Sequence, residues 1–342
     1  MPPALFSTRA AALGLLTVAL AGGLAACGTK PTSSPTSSAP VTSGSAGDSS
    51  QVCQPVPGST FVTLADDKKL QKSDNIVPLV RTVDAKAPLT DVLNKISAVL
   101  SQEKLNALNA AVSTQKEPNQ QAAQEFVAAN GLGSGFSGGS GAIHVVASGF
   151  SESTTLAYVY ADALKAAGYD SSVKQSTDRE IYLPLLEKGT YDVIPEYAAT
   201  LSDYLNDAAN GTNATSKASS DIDTTMAGLR PLAAAKGLTV LNPAAATDEN
   251  AYAVTTAFAN KYHVTTLSQL AATCGGGITL GGTSVCPTRT FCLHGLEQTY
   301  GLKITKFTAL DTDGSLTRNA LTQGKVVLAE VFSSDADVKP AT

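Results

Sequence analysis

Apolar and polar positions follow two rhythms along this chain. FVTLADDKK (61–69) opens with strand-like alternation and closes in charge, and NIVPLVR (75–81) is a short apolar run after a turn. LTDVLNKISAVL (89–100) and SQEKLNALNAAV (101–112) put apolar residues at helical spacing. After Pro118, NQQAAQEFVAANGL predicts a third helix, stopped by Gly131. A run of Gly and Ser then leads into IHVVAS (143–148), which reads as a buried strand. SESTTLAYVYADALKAAGYD (151–170) predicts an amphipathic helix, with Ser151 to Thr154 as capping residues and Gly168 as the stop. SSVKQS predicts a strand, REIYLPLLEKGT a helix and YDVIPEY a strand. The alternation continues through NAYAVTT, LSQLAATC, ITLGG and KVVLAEVF. Strands alternating with helices of this length predict an α/β fold with largely parallel sheets.

The first residues break this pattern. Arg9 precedes the apolar run AALGLLTVALAGGLAA, which is short for a span of about 20 residues. Small residues then lead to Cys27, an arrangement that resembles a bacterial lipobox, so residues 1–27 read as a lipoprotein signal peptide with Cys27 as the lipid-bearing residue. Residues 28–52 are rich in Ser, Thr and Pro and too poor in apolar surface to fold, which makes them a tether. The expected location is extracytoplasmic, lipid-anchored to the bacterial cell membrane.

Composition narrows the function. The chain has 342 residues, 43% hydrophobic and 15% charged, with a formal net charge of -5, so nucleic-acid binding has no electrostatic support. In an exported protein, Cys53, Cys274, Cys286 and Cys292 suggest disulfides. Cys286 and Cys292 are close enough to close a small loop, and Cys53 with Cys274 follows by elimination. No zinc spacing, P-loop or GxGxxG after a strand is present, so no metal or cofactor is expected. Gly135-Phe136-Ser137-Gly138-Gly139 matches the nucleophile elbow of hydrolases, but Ser137 lies in the Gly/Ser run rather than between a strand and a helix, and no catalytic residue is expected.

From residue 143 the chain resembles the substrate-binding lipoproteins of glycine betaine, choline and osmoprotectant ABC importers. The resemblance is carried by GFSESTTLAYVYADALKAAGYD, REIYLPLLEKGTYDVIPEYAATL, LNPAAATDENAYAVT and RTFCLHGLEQTYGL. The pieces that close the family fold stand at the front here: FVTLADDKKLQKSDNIVPLVR matches a strand and a Pro-containing run, and the segments at 89–112 and 122–132 match the last helices. The resemblance therefore implies a circularly permuted type II periplasmic-binding-protein fold. Residues 53–132 would be the family's C-terminal part, 133–141 a Gly/Ser linker, and 142–342 its N-terminal and central part. One α/β lobe would hold about 75–132 with 142–249, the other about 250–342 with 53–74, with a hinge and a ligand cleft between them.

The resemblance also implies a site. A quaternary ammonium group would sit in a box of aromatic rings. Tyr197 and Thr200 match the family's E-Y-T-G-T segment, Tyr252 in NAYAV a second box Tyr, and Arg289 the Arg that reaches a ligand carboxylate. Phe332 and Asp74 fall where further box Tyr residues stand, and Ser148 where a polar group contacts the ligand tail. The implied partners are a quaternary ammonium or related cationic or zwitterionic small molecule and the permease subunits of an ABC transporter, served by a monomer. The implied function is solute capture and delivery, with a sensory or scavenging lipoprotein for a different cationic amine as the alternative.

Overall fold

The computed structural model describes residues 52–211, 214–289, 291–311, 314–336 and 338–341. Cys27 and residues 28–51 lie outside the described residues. The chain runs β1 (Phe61–Leu64), β2 (Ile76–Arg81), α1 (Leu89–Val99), α2 (Gln102–Ser113), α3 (Asn119–Ala129), β3 (Ala142–Ala147), α4 (Ser151–Ala166), β4 (Asp170–Gln175), α5 (Arg179–Glu187), β5 (Val193–Tyr197), α6 (Ala198–Asn210) and α7 (Ile222–Ala234). It continues through β6 (Leu238–Val240), β7 (Asn250–Thr255), α8 (Thr256–Tyr262), α9 (Leu267–Thr273), β8 (Ile278–Gly282), α10 (Leu293–Tyr300), β9 (Ile304–Ala309), α11 (Ser315–Thr322), β10 (Leu328–Phe332) and β11 (Val338–Pro340).

These elements build two lobes, each around its own sheet. The first has strand order β4-β3-β5-β2-β6, the second β11-β1-β7-β10-β8-β9. Period-two alternation sorts the side chains of β2 between two cores. Ile76 and Val80 pack with α1 to α4, whereas Val77 and Leu79 face the other way, onto α5 to α7. In the second lobe Tyr252 and Val254 of β7 pack with α8 to α10, and Ala253 packs with α11.

The expectation of largely parallel sheets needs correction. β3 is parallel to β4 and β5, and β8 is parallel to β9 and β10. β2, however, is antiparallel to β5 and β6, and β7 is antiparallel to β1 and β10. Both exceptions follow a crossing between lobes. The chain that crosses arrives at the cleft edge, where the parallel strands end, and must run away from it. Ile76, the first residue of β2, is therefore paired with Tyr197, the last of β5.

Residues 89–132 share one core with the elements that begin at Ile143. Leu89, Val92, Leu93 and Ile96 of α1, and Phe126 and Val127 of α3, pack with Leu156, Tyr160 and Leu164 of α4. Each such side chain, fully buried, contributes about 1.5–3 kcal/mol. The Gly/Ser run that joins α3 to β3 is seated on this lobe. Phe136 packs against the same core, and the Gly139 N–H donates to the Ala167 carbonyl at 3.0 Å. A Cβ on Gly139 would stand 2.6 Å from the Tyr169 ring, and one on Gly168 (φ +107°) 2.8 Å from the Gly139 carbonyl oxygen, so both positions require glycine. Ser137 is exposed in this irregular run, with neither strand before it nor helix after it.

α4 begins without the expected side-chain cap. Its N-cap is Phe150, and the Ser153 hydroxyl instead accepts from the Ser148 N–H at 2.9 Å. Two disulfides, Cys53–Cys274 and Cys286–Cys292, both lie in the second lobe's core.

Candidate functional site

Two segments cross between the lobes, residues 65–75 and 241–249. They touch where Asn75 faces Thr247 across an isolated antiparallel bridge and the Asp248 N–H donates to the Asp74 carbonyl at 3.1 Å. Beside this crossing the cleft holds a cavity of about 380 Å³, a size usual for small-molecule sites. Four aromatic rings line it: Phe150, Tyr197, Phe291 and Phe332. Phe150 comes from the start of α4 and Tyr197 from the end of β5, with ring centroids 5.8 Å apart. Phe332 ends β10 from the second lobe, and Phe291 is presented by the loop that the Cys286–Cys292 disulfide closes. The Phe291 carbonyl accepts from Gln71 Nε2 and from the Tyr252 hydroxyl, each at 2.9 Å, which fixes the backbone behind the ring.

Carboxylates alternate with the rings. Asp74, Asp203, Asp248 and Glu249 line the cavity. Asp74 is buried, and its Oδ1 accepts from the N–H groups of Ala199 at 2.8 Å and Thr200 at 3.1 Å, closing the N-terminus of α6. Tyr197 is also buried and donates its hydroxyl to Glu152 at 2.7 Å. Burial, followed by the negative charges of Asp74 and Asp66, pushes the Glu249 carboxyl from its ordinary 4.5 to about 7. Burial also raises Asp74 from 3.8 to about 6. The Glu152 carboxyl is raised by burial, and that of Asp248 well above its ordinary value by burial and then by the charge of Glu152.

The cavity's cations are already matched. Arg179 grips Glu196 with Nε at 3.1 Å and Nη2 at 2.8 Å, and reaches Thr200 Oγ1 at 3.1 Å. Lys72 pairs with Asp203 and donates to Ser216 Oγ at 2.7 Å, with its ammonium 4.6 Å from the Phe291 ring centroid. The arrangement can hold a small cation against ring faces by cation–π attraction, about 0.5–2 kcal/mol per ring. Among the described residues, one grouping is close enough to ligate a metal, Cys286 with Cys292 and Glu330, and the disulfide occupies both sulfurs.

The structure brings Tyr197, Thr200, Phe332 and Asp74 together in the cavity. Tyr252 and Ser148 are buried outside its lining, and Arg289 is exposed on the disulfide loop, also outside it. Tyr252 falls on the sheet face that packs with α8 to α10, so its hydroxyl supports Phe291 from behind. Phe150 and Phe291 were not legible as ring-box residues. The one available signal for Phe291 is its place beside Cys292 in a short cysteine-closed loop.

A family model described as the substrate binding domain of ABC-type glycine betaine transport system matches residues 57–129 and 141–341. No curated protein matches the chain. Among solved structures the chain is similar to a glycine betaine/carnitine/choline ABC transporter, with 16% identity, 56% of this chain and 68% of that chain covered, and a TM-score of 0.39. It is also similar to the complex of Haemophilus influenzae OppA with RPPGFSPFR, with 14% identity, coverage of 51% and 44%, and a TM-score of 0.19. A substrate binding protein from Microbacterium hydrocarbonoxydans complexed with 4-hydroxybenzoate hydrazide shows 14% identity, coverage of 53% and 46%, and a TM-score of 0.23.

Proposed function

The chain belongs to the family of substrate-binding domains of ABC-type glycine betaine transport systems, and we propose that it captures a quaternary ammonium or related cationic or zwitterionic solute and hands it to a membrane permease. Family membership makes it a binding protein rather than an enzyme. The observation that carries the ligand class is the set of four rings, Phe150, Tyr197, Phe291 and Phe332, interleaved with carboxylates in one interlobe cavity. A methylated ammonium has no N–H to donate, so ring faces and nearby negative charge are what can stabilise it once it leaves water. For a ligand with a carboxylate tail, the positive groups in the same lining are Lys72 and Arg179, each of which would have to share its present carboxylate partner with the ligand. Closure of the lobes about the two crossing segments would bring Phe291 and Phe332 onto a ligand held by Phe150 and Tyr197.

The proposal extends to order and place. The packing of α1 and α3 in one core with α4 supports reading residues 53–132 as the family's C-terminal part moved to the front. The lipobox-like residues before Cys27 support a lipid-anchored, extracytoplasmic protein, and no helix among the described residues is long and apolar enough to cross a membrane.

Thermal shift against glycine betaine, choline, carnitine, amino acids and polyamines tests the ligand class. A ligand at 100 times its Kd stabilises the folded protein by about 2.7 kcal/mol. A shift confined to amino acids would overturn the ring-box reading.

A further inference from the structure

Phe150 and Phe332 also line a second cavity, of about 340 Å³. The two cavities share Phe150, Asp248 and Phe332 in their linings, so they are neighbours across these residues. The second compartment is walled by Asn109 of α2, by Glu152 of α4 and by Ser334 and Asp335 just after β10. Its one cationic side chain, Arg318, pairs with Asp335 at 2.9 Å. Glu152 and Asp248 have no such partner: no ion pair among the described residues involves either. Their donors are neutral. Glu152 accepts from the Tyr197 hydroxyl at 2.7 Å and from Asn109 Nδ2 at 2.6 Å, and Asp248 accepts from the Ser334 hydroxyl at 2.8 Å.

A carboxylate offers about four acceptor positions. Asp248 lines both cavities and accepts from a single side-chain donor, so it has acceptor capacity left. Two carboxylates brought close with no cation between them repel each other, and a bound positive charge relieves that repulsion. A trimethylammonium group can supply charge but no hydrogen bond, so it fits the ring-lined compartment better than this one.

We propose that the second compartment is a subsite for a cationic group bearing N–H donors, a primary ammonium or a guanidinium, held between Glu152 and Asp248. The cleft then takes an elongated organic dication, with its alkylated nitrogen among the four rings and its N–H-bearing end past Phe150 and Phe332. This inference rests on the ring-box reading of the first compartment, and it sets ligands with a cationic tail above those with a carboxylate tail.

Three compounds with the same trimethylammonium head separate the possibilities by calorimetry on the full-length protein: glycine betaine with a carboxylate tail, choline with a hydroxyl, and (3-aminopropyl)trimethylammonium with a primary ammonium. The aminopropyl compound should bind at least about tenfold tighter than choline, given the worth of a desolvated charge pair. In Glu152→Gln and in Asp248→Asn that ratio should fall toward one. Each ratio is measured on one preparation, so a reduced folded fraction does not distort it. Choline or glycine betaine binding the native protein as tightly as the aminopropyl compound would overturn the subsite and leave the proposed function standing. A ratio that stays high in both variants would overturn the assignment to Glu152 and Asp248. If none of the three compounds binds, the ring-box reading fails and the subsite with it.

Discussion

The Asp74 carboxylate lies 2.8 Å from the backbone N–H of Ala199, so a residue of one crossing segment closes the N-terminus of α6. The contact ties the hinge to the helix whose first turn carries Thr200 into the cavity. Asp74→Ala removes the acceptor for two N–H groups, and the loss of such a cap costs about 1–2 kcal/mol. Chemical denaturation should show that loss, and ligand affinity should fall with it because the Thr200 turn is released. Unchanged stability would show that the contact is not formed in solution.

Tyr197 has two separable parts, a ring that lines the cavity and a hydroxyl that serves Glu152. Tyr197→Phe should cost stability, about 1–2 kcal/mol for a buried carboxylate deprived of a donor, while keeping most of the ligand affinity. Tyr197→Ala should also lower affinity by about tenfold, the worth of one desolvated ring. Calorimetry on both variants checks this, and equal affinities in the two would remove the ring from the site.

The cleft carboxylates predict a pH dependence. Glu249 and Asp74 hold their protons more tightly in the folded protein, at about 7 and about 6, than at their ordinary values of 4.5 and 3.8. Their contribution to stability is therefore complete below the unfolded values and is lost as pH rises through the folded ones. The ligand-free protein should melt at least about 3 °C lower at pH 8 than at pH 5 through these groups. A cationic ligand should bind more tightly over the same rise, because the carboxylates it meets become charged. Titrations in buffers of different ionisation enthalpy should register proton release on binding, and a flat pH profile for both quantities would refute the coupling.

The two disulfides should act on different properties. On a loop-closure basis, opening Cys286–Cys292 with a Cys286→Ser, Cys292→Ser pair costs about 2 kcal/mol, and opening Cys53–Cys274 about 5 kcal/mol because its loop is so much longer. Only the first carries a cavity ring. Affinity should fall several-fold when the Phe291 loop is opened and stay near native when Cys53 and Cys274 are replaced. Equal losses of affinity would mean that the loop does not position the ring.

Legibility in the sequence followed from how local each determinant was. The faces of β2 could be read because Ile76, Val77, Leu79 and Val80 are apolar on both sides, and the sheet is covered on both. The lobe-to-lobe crossings near Asp74 and Glu249 could be placed from the resemblance. Strand direction could not, because a continuous apolar run such as β2 reports a strand covered on both faces, the usual mark of a parallel sheet, yet β2 runs antiparallel to both its neighbours. The role of Tyr252 depended on register: paired with Glu330, it turns into the second lobe's core while Phe332, two residues on from Glu330, reaches the cleft. Phe291 is aimed by a disulfide and two hydrogen bonds from distant residues, neither of which leaves a periodic trace in the chain.

The Cys53–Cys274 bond has a mechanical consequence. Val52 bridges to Gly277 and Cys53 is bonded to Cys274, so the start of the described chain is riveted to the second lobe before β1 begins. Tension arriving through the chain ahead of Val52 is borne there and does not load the crossing segments at 65–75 and 241–249. Were the chain anchored through Cys27 as proposed, the anchor would restrain the second lobe while leaving the first free to swing.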